Sequence, residues 1–266
     1  MKISVITKPN MSLHATRRDV LEILSKEHVV CECENRREIA PDTDVVLVFG
    51  GDGTMLDAVR AVGGRDIAIL GVNLGNLGFL TSFEQDADPK KIADTLIHGD
   101  TVSRMLLDVS INGVKQQNAL NEVVIKTAGT RPITLDVSVD GSFADSFHSD
   151  GIIVSSPAGS TAYALSAGGP VLAPDVDAFE IIPICAHSLH SRPLVVSSSS
   201  CVKITLGGEH DAVVSIDGGN DGILKVGEAV TVSKSSQTAK FISAGNNSFY
   251  NKLLSKMNRW GTTSSK

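Results

Sequence analysis

The chain has 266 residues, 42% of them hydrophobic and 20% charged, with 24 Lys and Arg against 30 Asp and Glu for a net charge of −6. That composition supports a sizeable core and excludes wholesale disorder, and the length suits one large domain or two ordinary ones. The acidic balance argues against a nucleic-acid clamp or a basic membrane-surface protein, though not against a local basic patch. In chain order, the first ten residues carry no h-region or small-residue cleavage site. No apolar stretch approaches the ~18 residues that a membrane helix needs. Residues 3–7 read as a strand and residues 12–26 as a helix, with Leu13, Val20, Leu21 and Leu24 sharing a face. Cys31, Cys33, Cys185 and Cys201 have no framework spacing, and Cys31-Glu32-Cys33 has no second pair to complete a metal or redox site. Reduced thiols in a cytoplasmic protein are the expectation.

Val45-Val46-Leu47-Val48-Phe49 is a continuous apolar run, as in a strand covered on both faces. A glycine turn follows, then a helix over 54–62, a strand over 67–72 and a helix over 88–98 opened by Pro89. Strands separated by helices predict a parallel, Rossmann-like α/β domain. From about residue 100 the texture becomes antiparallel. Strands at 107–111 and 135–139 each end in a favoured hairpin dipeptide, Asn112-Gly113 and Asp140-Gly141. Further strands are predicted at 123–126, 151–155, 202–206, 212–216, 230–233 and 240–243, giving a β-rich, sandwich-like domain. A final helix begins near Asn247 or Ser248, with Phe249, Leu253, Met257 and Trp260 on one face. A β domain offers that helix few partners, so it is expected to pack back on the first domain. The division is therefore 1–100 with about 245–266, and 101–244.

Eight of the 24 glycines fall between Gly50 and Gly78. The densest group, Gly50-Gly51-Asp52-Gly53-Thr54, lies between the buried strand and a helix, where parallel sheets bind ligands. Bare backbone N–H groups and a helix N-terminus suit phosphate oxygens, so Gly50, Gly51, Gly53 and Thr54 form a candidate phosphate loop. A plain tight turn needs only one or two glycines. No Gly-Lys-Ser/Thr ends the loop, so it is not a Walker A motif, and Leu56 replaces the third glycine of a dinucleotide fingerprint. Asp52 would repel phosphates. It makes sense as a proton acceptor for an attacking hydroxyl, as a holder of a ribose hydroxyl, or as an aid to a metal.

The segment Asn73-Leu74-Gly75-Asn76-Leu77-Gly78-Phe79-Leu80 follows the next strand at the same sheet edge, as a second ligand turn or as a turn docking Phe79 and Leu80. Residues 150–163 feed an apolar strand into a small, hydroxyl-rich turn and a short helix through Ser166, with Tyr163 able to stack on a base. Ser160 is not a covalent nucleophile, since Gly-x-Ser-x-Gly is not met. Asn121-Glu122 enters an apolar run, either as a loop edge or as an amide and carboxylate for sugar hydroxyls.

These motifs, with Gly168-Gly169-Pro170 and Arg192-Pro193-Leu194, resemble the NAD kinase family in order and separation, over nearly the whole chain. The glycine-aspartate motif alone is shared with diacylglycerol and sphingosine kinases and, more loosely, phosphofructokinases. The Gly159-Ser160-Thr161-Ala162-Tyr163 run with Asn121-Glu122 separates NAD kinases from those relatives. The resemblance implies transfer of the terminal phosphoryl of ATP to the adenosine-ribose 2′-hydroxyl of NAD. It implies Asp52 as proton acceptor beside Gly53, and Asn121 and Glu122 on the ribose. His148 and Asp150 would lie at the nicotinamide half, and Ala158, Thr161, Ala162, Tyr163, Ala164, Leu165 and Ser166 around the adenine. Cys185 would touch the nucleotide through its backbone. It also implies a homodimer or homotetramer whose NAD pockets a neighbouring subunit completes.

Three features depart from the family pattern. His148 stands where many members have arginine. Asp217-Gly218-Gly219-Asn220 replaces an Asp-Gly-Gln run, so Asn220 takes the glutamine's place or is shifted by one. Arg131 lies in a poorly matching stretch, residues 129–132. The remaining histidines, His14, His28, His98, His187, His190 and His210, form no i, i+4 pair and no cluster with carboxylates, and read as surface or satisfied groups rather than a zinc site. No protein metal site is expected, because magnesium would arrive with ATP. Rival readings are a lipid or sugar kinase of the same superfamily and a non-catalytic NAD-sensing module. An NAD-dependent oxidoreductase is disfavoured by the incomplete fingerprint.

Overall fold

The computed structural model describes residues 1–35, 38–75, 78–188, 190–245 and 249–262, without the side chains of 259–262. The chain forms two compact units, Met1–Ser103 with Ala239–Lys266, and Arg104–Thr238.

In the first unit β1 (Lys2–Thr7), α1 (Ala15–Leu24), β2 (Val29–Glu32), β3 (Val45–Phe49), α2 (Asp52–Val62), β4 (Ala68–Val72) and α3 (Pro89–His98) follow one another. The strands pair in parallel in the order β2-β1-β3-β4, and residues 240–241 add beyond β4. β3 is buried at every position, as its unbroken apolar run predicts. Ile3, Val5, Leu47, Phe49 and Leu70 from the sheet meet Val20, Leu24, Ile92 and Leu96 from the helices. The Asp88 carboxylate caps α3 by accepting from the Lys90 N–H at 3.0 Å, with Pro89 as its first residue. α2 stops at Gly63, whose φ of 57° few other residues adopt.

The expected first helix is corrected here. α1 is shorter than residues 12–26, and Leu13, outside it and 95% exposed, does not share the face of Val20 and Leu24. His98 is a surface histidine, its Nδ1 3.1 Å from Asp94 one helical turn away. β2 was not legible, because four residues give too short a pattern. It absorbs Cys31 as an ordinary strand residue.

From residue 101 the elements are β5 (Thr101–Ile111), which runs into the second unit, β6 (Val114–Lys115), β7 (Glu122–Thr127), β8 (Ile133–Val139), β9 (Ser142–Ser149) and β10 (Gly151–Ser155). A 3-10 turn (Gly159–Thr161) and α4 (Tyr163–Ser166) come next, then β11 (Ala178–Ile184), β12 (Leu194–Ser197), β13 (Cys201–Gly207), β14 (Ala212–Ile216), β15 (Gly222–Leu224) and β16 (Ala229–Ile242). One antiparallel sheet runs β12-β11-β10-β7-β14-β15, and in the other β16 pairs with β13, then β8, then β9. Val123, Ile125, Ile152, Val154, Phe179 and Val214 of the first sheet pack with Leu107, Leu135, Val137, Ile204 and Val230 of the second, the interior of a sandwich. Asn112 and Gly113 have φ of 50° and 79°, and Asp140 and Gly141 φ of 52° and 79°, so both dipeptides make the left-handed hairpin turns they predict. The strands expected at 230–233 and 240–243 are the two ends of β16, whose polar middle hid their continuity.

The last helix, α5 (Phe249–Thr262), packs on the first unit, as expected. Lys252 Nζ donates to the carbonyls of Phe79 and Thr81 at 3.2 and 2.5 Å, and the Phe249 and Phe79 rings lie 6.1 Å apart. Its inner face differs from the expected one. Met257 is exposed, and Lys252 and Lys256 point inward instead. Asn76, Leu77, the expected helix start at Asn247 or Ser248, and the Trp260 side chain lie outside what is described.

Candidate active site

In the first unit β3, the turn after it and α2 build a candidate phosphate site. Gly50 is needed for packing, since a Cβ there would run into the Thr54 side chain. Gly51 and Gly53 have open space where a side chain would stand. They leave main chain bare at the N-terminus of α2, where a phosphate can approach closely. Asp52 is the first residue of α2. Its Oδ2 accepts from the Phe79 N–H at 2.9 Å and its Oδ1 from the Leu80 N–H at 3.0 Å. A Cβ on Gly78 would strike Asp52 Oδ1, which explains that glycine. Residues 78–80 of the segment after β4 thus orient the Asp52 carboxylate. The buried Asn73 side chain braces that segment, accepting from the Gly75 N–H at 3.0 Å and donating to Glu84 at 2.9 Å.

Lys256 completes this cluster, 3.8 Å from Asp52 Oδ2 and 3.9 Å above the Phe79 ring. Burial pulls its pKa down, and the neighbouring Asp52 partly opposes that shift. Sequence reasoning missed Lys256. The signal was present in the spacing of Lys252 and Lys256, one helical turn apart beside apolar positions.

In the second unit Asp217, at a φ of 46°, gathers three main-chain N–H groups. Leu120, Asn121 and Glu122 donate to its carboxylate at 2.8, 2.8 and 3.1 Å. This clamp fixes the Asn121-Glu122 corner as it enters β7. It leaves Asn121 Oδ1 and Glu122 Oε2 buried without a hydrogen-bond partner. Unpartnered buried acceptors are uncommon and mark a place where a ligand or water belongs. The Glu122 carboxyl is pushed up to about 8, first by burial and then by Asp217.

The small-residue turn wraps the same corner. Ser156 donates its N–H to the Asn121 carbonyl at 2.8 Å and its hydroxyl to the Leu120 carbonyl at 2.5 Å. A Cβ on Gly159 would meet the Asn121 main chain, so only glycine lets the turn close. Ser160 donates to the Pro157 carbonyl at 2.8 Å and accepts from the Leu172 N–H at 3.0 Å, a brace rather than a nucleophile. Thr161 donates to the Ala158 carbonyl at 3.4 Å. Beyond it Ala162 and Leu165 are half-buried, Ala164 is buried, and Ser166 and the Tyr163 ring are exposed. Asn220 is exposed in the turn that follows Asp217.

His148, Asp150 and Cys185 are not part of that group. They are exposed at the opposite end of β10 from Ser155, four residues or about 13 Å of extended strand away. The His148 ring meets His187 edge-on at 5.1 Å, and Cys185 holds a φ of 48° at the end of β11. Arg131 joins His148 and His210 around a cavity of about 340 Å³. Among the described residues no three His, Cys, Asp or Glu side chains converge as metal ligands.

Residues 4–101 match the family model described as the ATP-NAD kinase N-terminal domain, and residues 120–244 match that of the ATP-NAD kinase C-terminal domain. The NAD kinase of Azotobacter vinelandii is 40% identical over 239 residues, which span 87% of this chain and 81% of that protein. The NAD kinase of Pseudomonas putida F1 is 37% identical over 258 residues, 94% of this chain and 86% of that one. Among solved structures, yeast NADH kinase complexed with NADH has a TM-score of 0.84 at 25% identity, covering 100% of this chain and 89% of that one. An NAD kinase from Archaeoglobus fulgidus in complex with ATP has a TM-score of 0.83 at 27% identity, covering 97% and 99%.

Proposed function

The chain belongs to the NAD kinase family, and from that premise we propose how its residues divide the work. Its activity is ATP-dependent phosphorylation of NAD. In our reading a new bond joins the adenosine-ribose 2′-oxygen to the terminal phosphorus of ATP. The bond from that phosphorus to its bridging oxygen breaks, ADP leaves, and the hydroxyl proton passes to Asp52. The observation that carries this is the Asp52 carboxylate, held by two main-chain donors beside the bare backbone of Gly51 and Gly53. Orientation of that kind serves an in-line transfer, in which positioning contributes as much as basicity.

Asn121 and Glu122 then hold the ribose, their unpartnered oxygens meeting its hydroxyls. Residues 158 and 161–166 enclose the adenine against the exposed Tyr163 ring. Asn220 edges the same corner. His148, Asp150 and the Cys185 backbone take the nicotinamide half, which the ~13 Å of strand between the two groups favours. A divalent metal such as magnesium, delivered with ATP, would supply charge neutralisation on the transferred group, and no protein ligand set is needed for it. A homodimer or homotetramer is proposed, each NAD pocket completed by a neighbouring copy. The four free cysteines favour a reducing compartment, the cytoplasm. Among the described residues no helix is long and apolar enough to cross a membrane.

The test is direct. The protein is incubated with ATP, magnesium and NAD, and NADP is assayed. Formation of NADP that requires both substrates is expected, and none above a blank overturns the reading.

A further inference from the structure

Glu180 is an acid in the middle of a buried strand. It is 0% exposed, and both its carboxyl oxygens are buried without a hydrogen-bond partner. Across the sheet it stands directly opposite Ser155 of β10, which in turn stands opposite Glu122 of β7. Cross-strand partners share a face, and this face is the one turned away from the sandwich interior, with Ile182, Ile153 and Val124. The segment from the 3-10 turn onward covers it. A Cβ on Gly159 would press on the Ser155 hydroxyl, and one on Gly169 would lie 3.1 Å from Ile182. The segment that encloses the adenine in our reading therefore rests on the row containing Glu180.

An unpaired carboxylate in this position would cost several kcal/mol, whereas the neutral acid carries a far smaller penalty. Directly opposite stands Ser155, whose hydroxyl donates to the Ser156 carbonyl at 3.0 Å. Among the described residues no charged partner acts on Glu180; Glu122 lies one strand beyond Ser155, and β12 brings Val195. Burial alone pushes the Glu180 carboxyl up to about 7.

We propose that Glu180 is a positioning residue, held as the neutral acid beneath residues 159–172, and that losing its proton loosens this segment and weakens its grip on NAD. The link to NAD rests on the site reading given above; the buried neutral acid does not. The sign follows from linkage. A carboxyl raised from 4.5 to about 7 contributes stability that is full below 4.5 and is lost as pH rises to about 7.

The experiment compares wild type with Glu180→Gln, an uncharged isostere, and with Glu180→Leu, which also cannot ionise. Melting temperatures of the protein without nucleotide are measured from pH 5 to 9, with KM for NAD and kcat alongside. Wild type and Glu180→Gln should lie nearest each other at pH 5. The wild type should fall behind up to about pH 7 and then run parallel. Its KM for NAD should rise roughly threefold or more relative to Glu180→Gln between pH 6 and 8.5, as the competent population shrinks. Parallel melting profiles at every pH overturn the proposal. Diverging profiles with an unchanged KM ratio overturn the positioning role. In carbon-13 NMR of the glutamate carboxyls, the resonance that Glu180→Gln removes should titrate above pH 6, and titration in the ordinary glutamate range overturns the proposal. A total absence of NADP would sink the kinase reading and leave the melting and NMR results standing.

Discussion

Asp52 and Glu122 each stand where a turn meets a regular element, yet their surroundings are opposite. Asp52 has a main-chain donor on each carboxylate oxygen and a lysine nearby. Glu122 is buried, has one oxygen without a partner, and sits beside the carboxylate of Asp217, which has taken the local N–H groups for itself. The same chemical group is therefore prepared for two tasks. Asp52 is oriented as a fixed carboxylate, a suitable acceptor for a proton released during transfer. Glu122 is kept protonated near neutral pH, a suitable hydrogen-bond partner for a hydroxyl. Donors around a carboxyl decide its role more than its identity as Asp or Glu does.

The comparison breaks most directly at Asp52. Asp52→Asn should lower kcat by roughly 10²- to 10⁴-fold, the usual range for a positioned general base. NAD affinity should be nearly unchanged, and single-turnover NADP formation beside equilibrium NAD binding separates the two. Nearly full turnover would leave Asp52 as a structural cap. A smaller effect tests orientation alone. In Gly78→Ala the new Cβ meets Asp52 Oδ1, so kcat should fall roughly 10- to 100-fold with the carboxylate still present. Gly75→Ala, in the same loop with open space around it, is the control and should behave as wild type.

How much of this was legible follows from the range of each interaction. β3, the turns at Asn112-Gly113 and Asp140-Gly141, and the cap of α3 are written in local patterns, so they are read from neighbouring residues. β11 was missed because Glu180 and Pro183 interrupt its apolar run, and β9 because Ser142–Ser149 is largely polar on an exposed face. At the site, Asp52 and Glu122 stood out by their motifs. The partners that distinguish them did not: Phe79 and Leu80 are 27 and 28 residues from Asp52, and Asp217 is 95 from Glu122. Asp217 looked like part of a ligand run and turns out to be a main-chain clamp.

That clamp is the next place to sharpen the contrast. Asp217→Asn keeps one acceptor oxygen for three N–H groups and turns an NH₂ group toward the others. Unfolding free energy should fall by ~1–3 kcal/mol, the cost of leaving buried donors unmade. The carboxyl of Glu122 should also move down toward its ordinary range, though burial keeps it raised. Denaturant melts and the Glu122 carboxyl titration by NMR report the two effects separately. An unchanged titration would mean that burial alone sets Glu122.

The smallest effect is expected for Glu122→Gln, and it is the most informative about protonation. If the neutral acid is the working form at pH 7, the amide reproduces its shape and lack of charge, and KM for NAD should change by less than about threefold. If the carboxylate is the working form, the same change leaves the ribose facing an NH₂ group where it needs an acceptor, and the loss should exceed tenfold. Stability supplies the independent sign. A carboxyl raised from 4.5 to about 8 contributes stability that is lost as pH climbs through that window. Glu122→Gln should therefore lie nearest wild type at the acid end, near pH 5, and melt higher than wild type by a widening margin toward pH 9. A variant that melts lower at pH 9 would show that the ionised Glu122 is stabilised by a cation or donor, and the contrast with Asp52 would collapse.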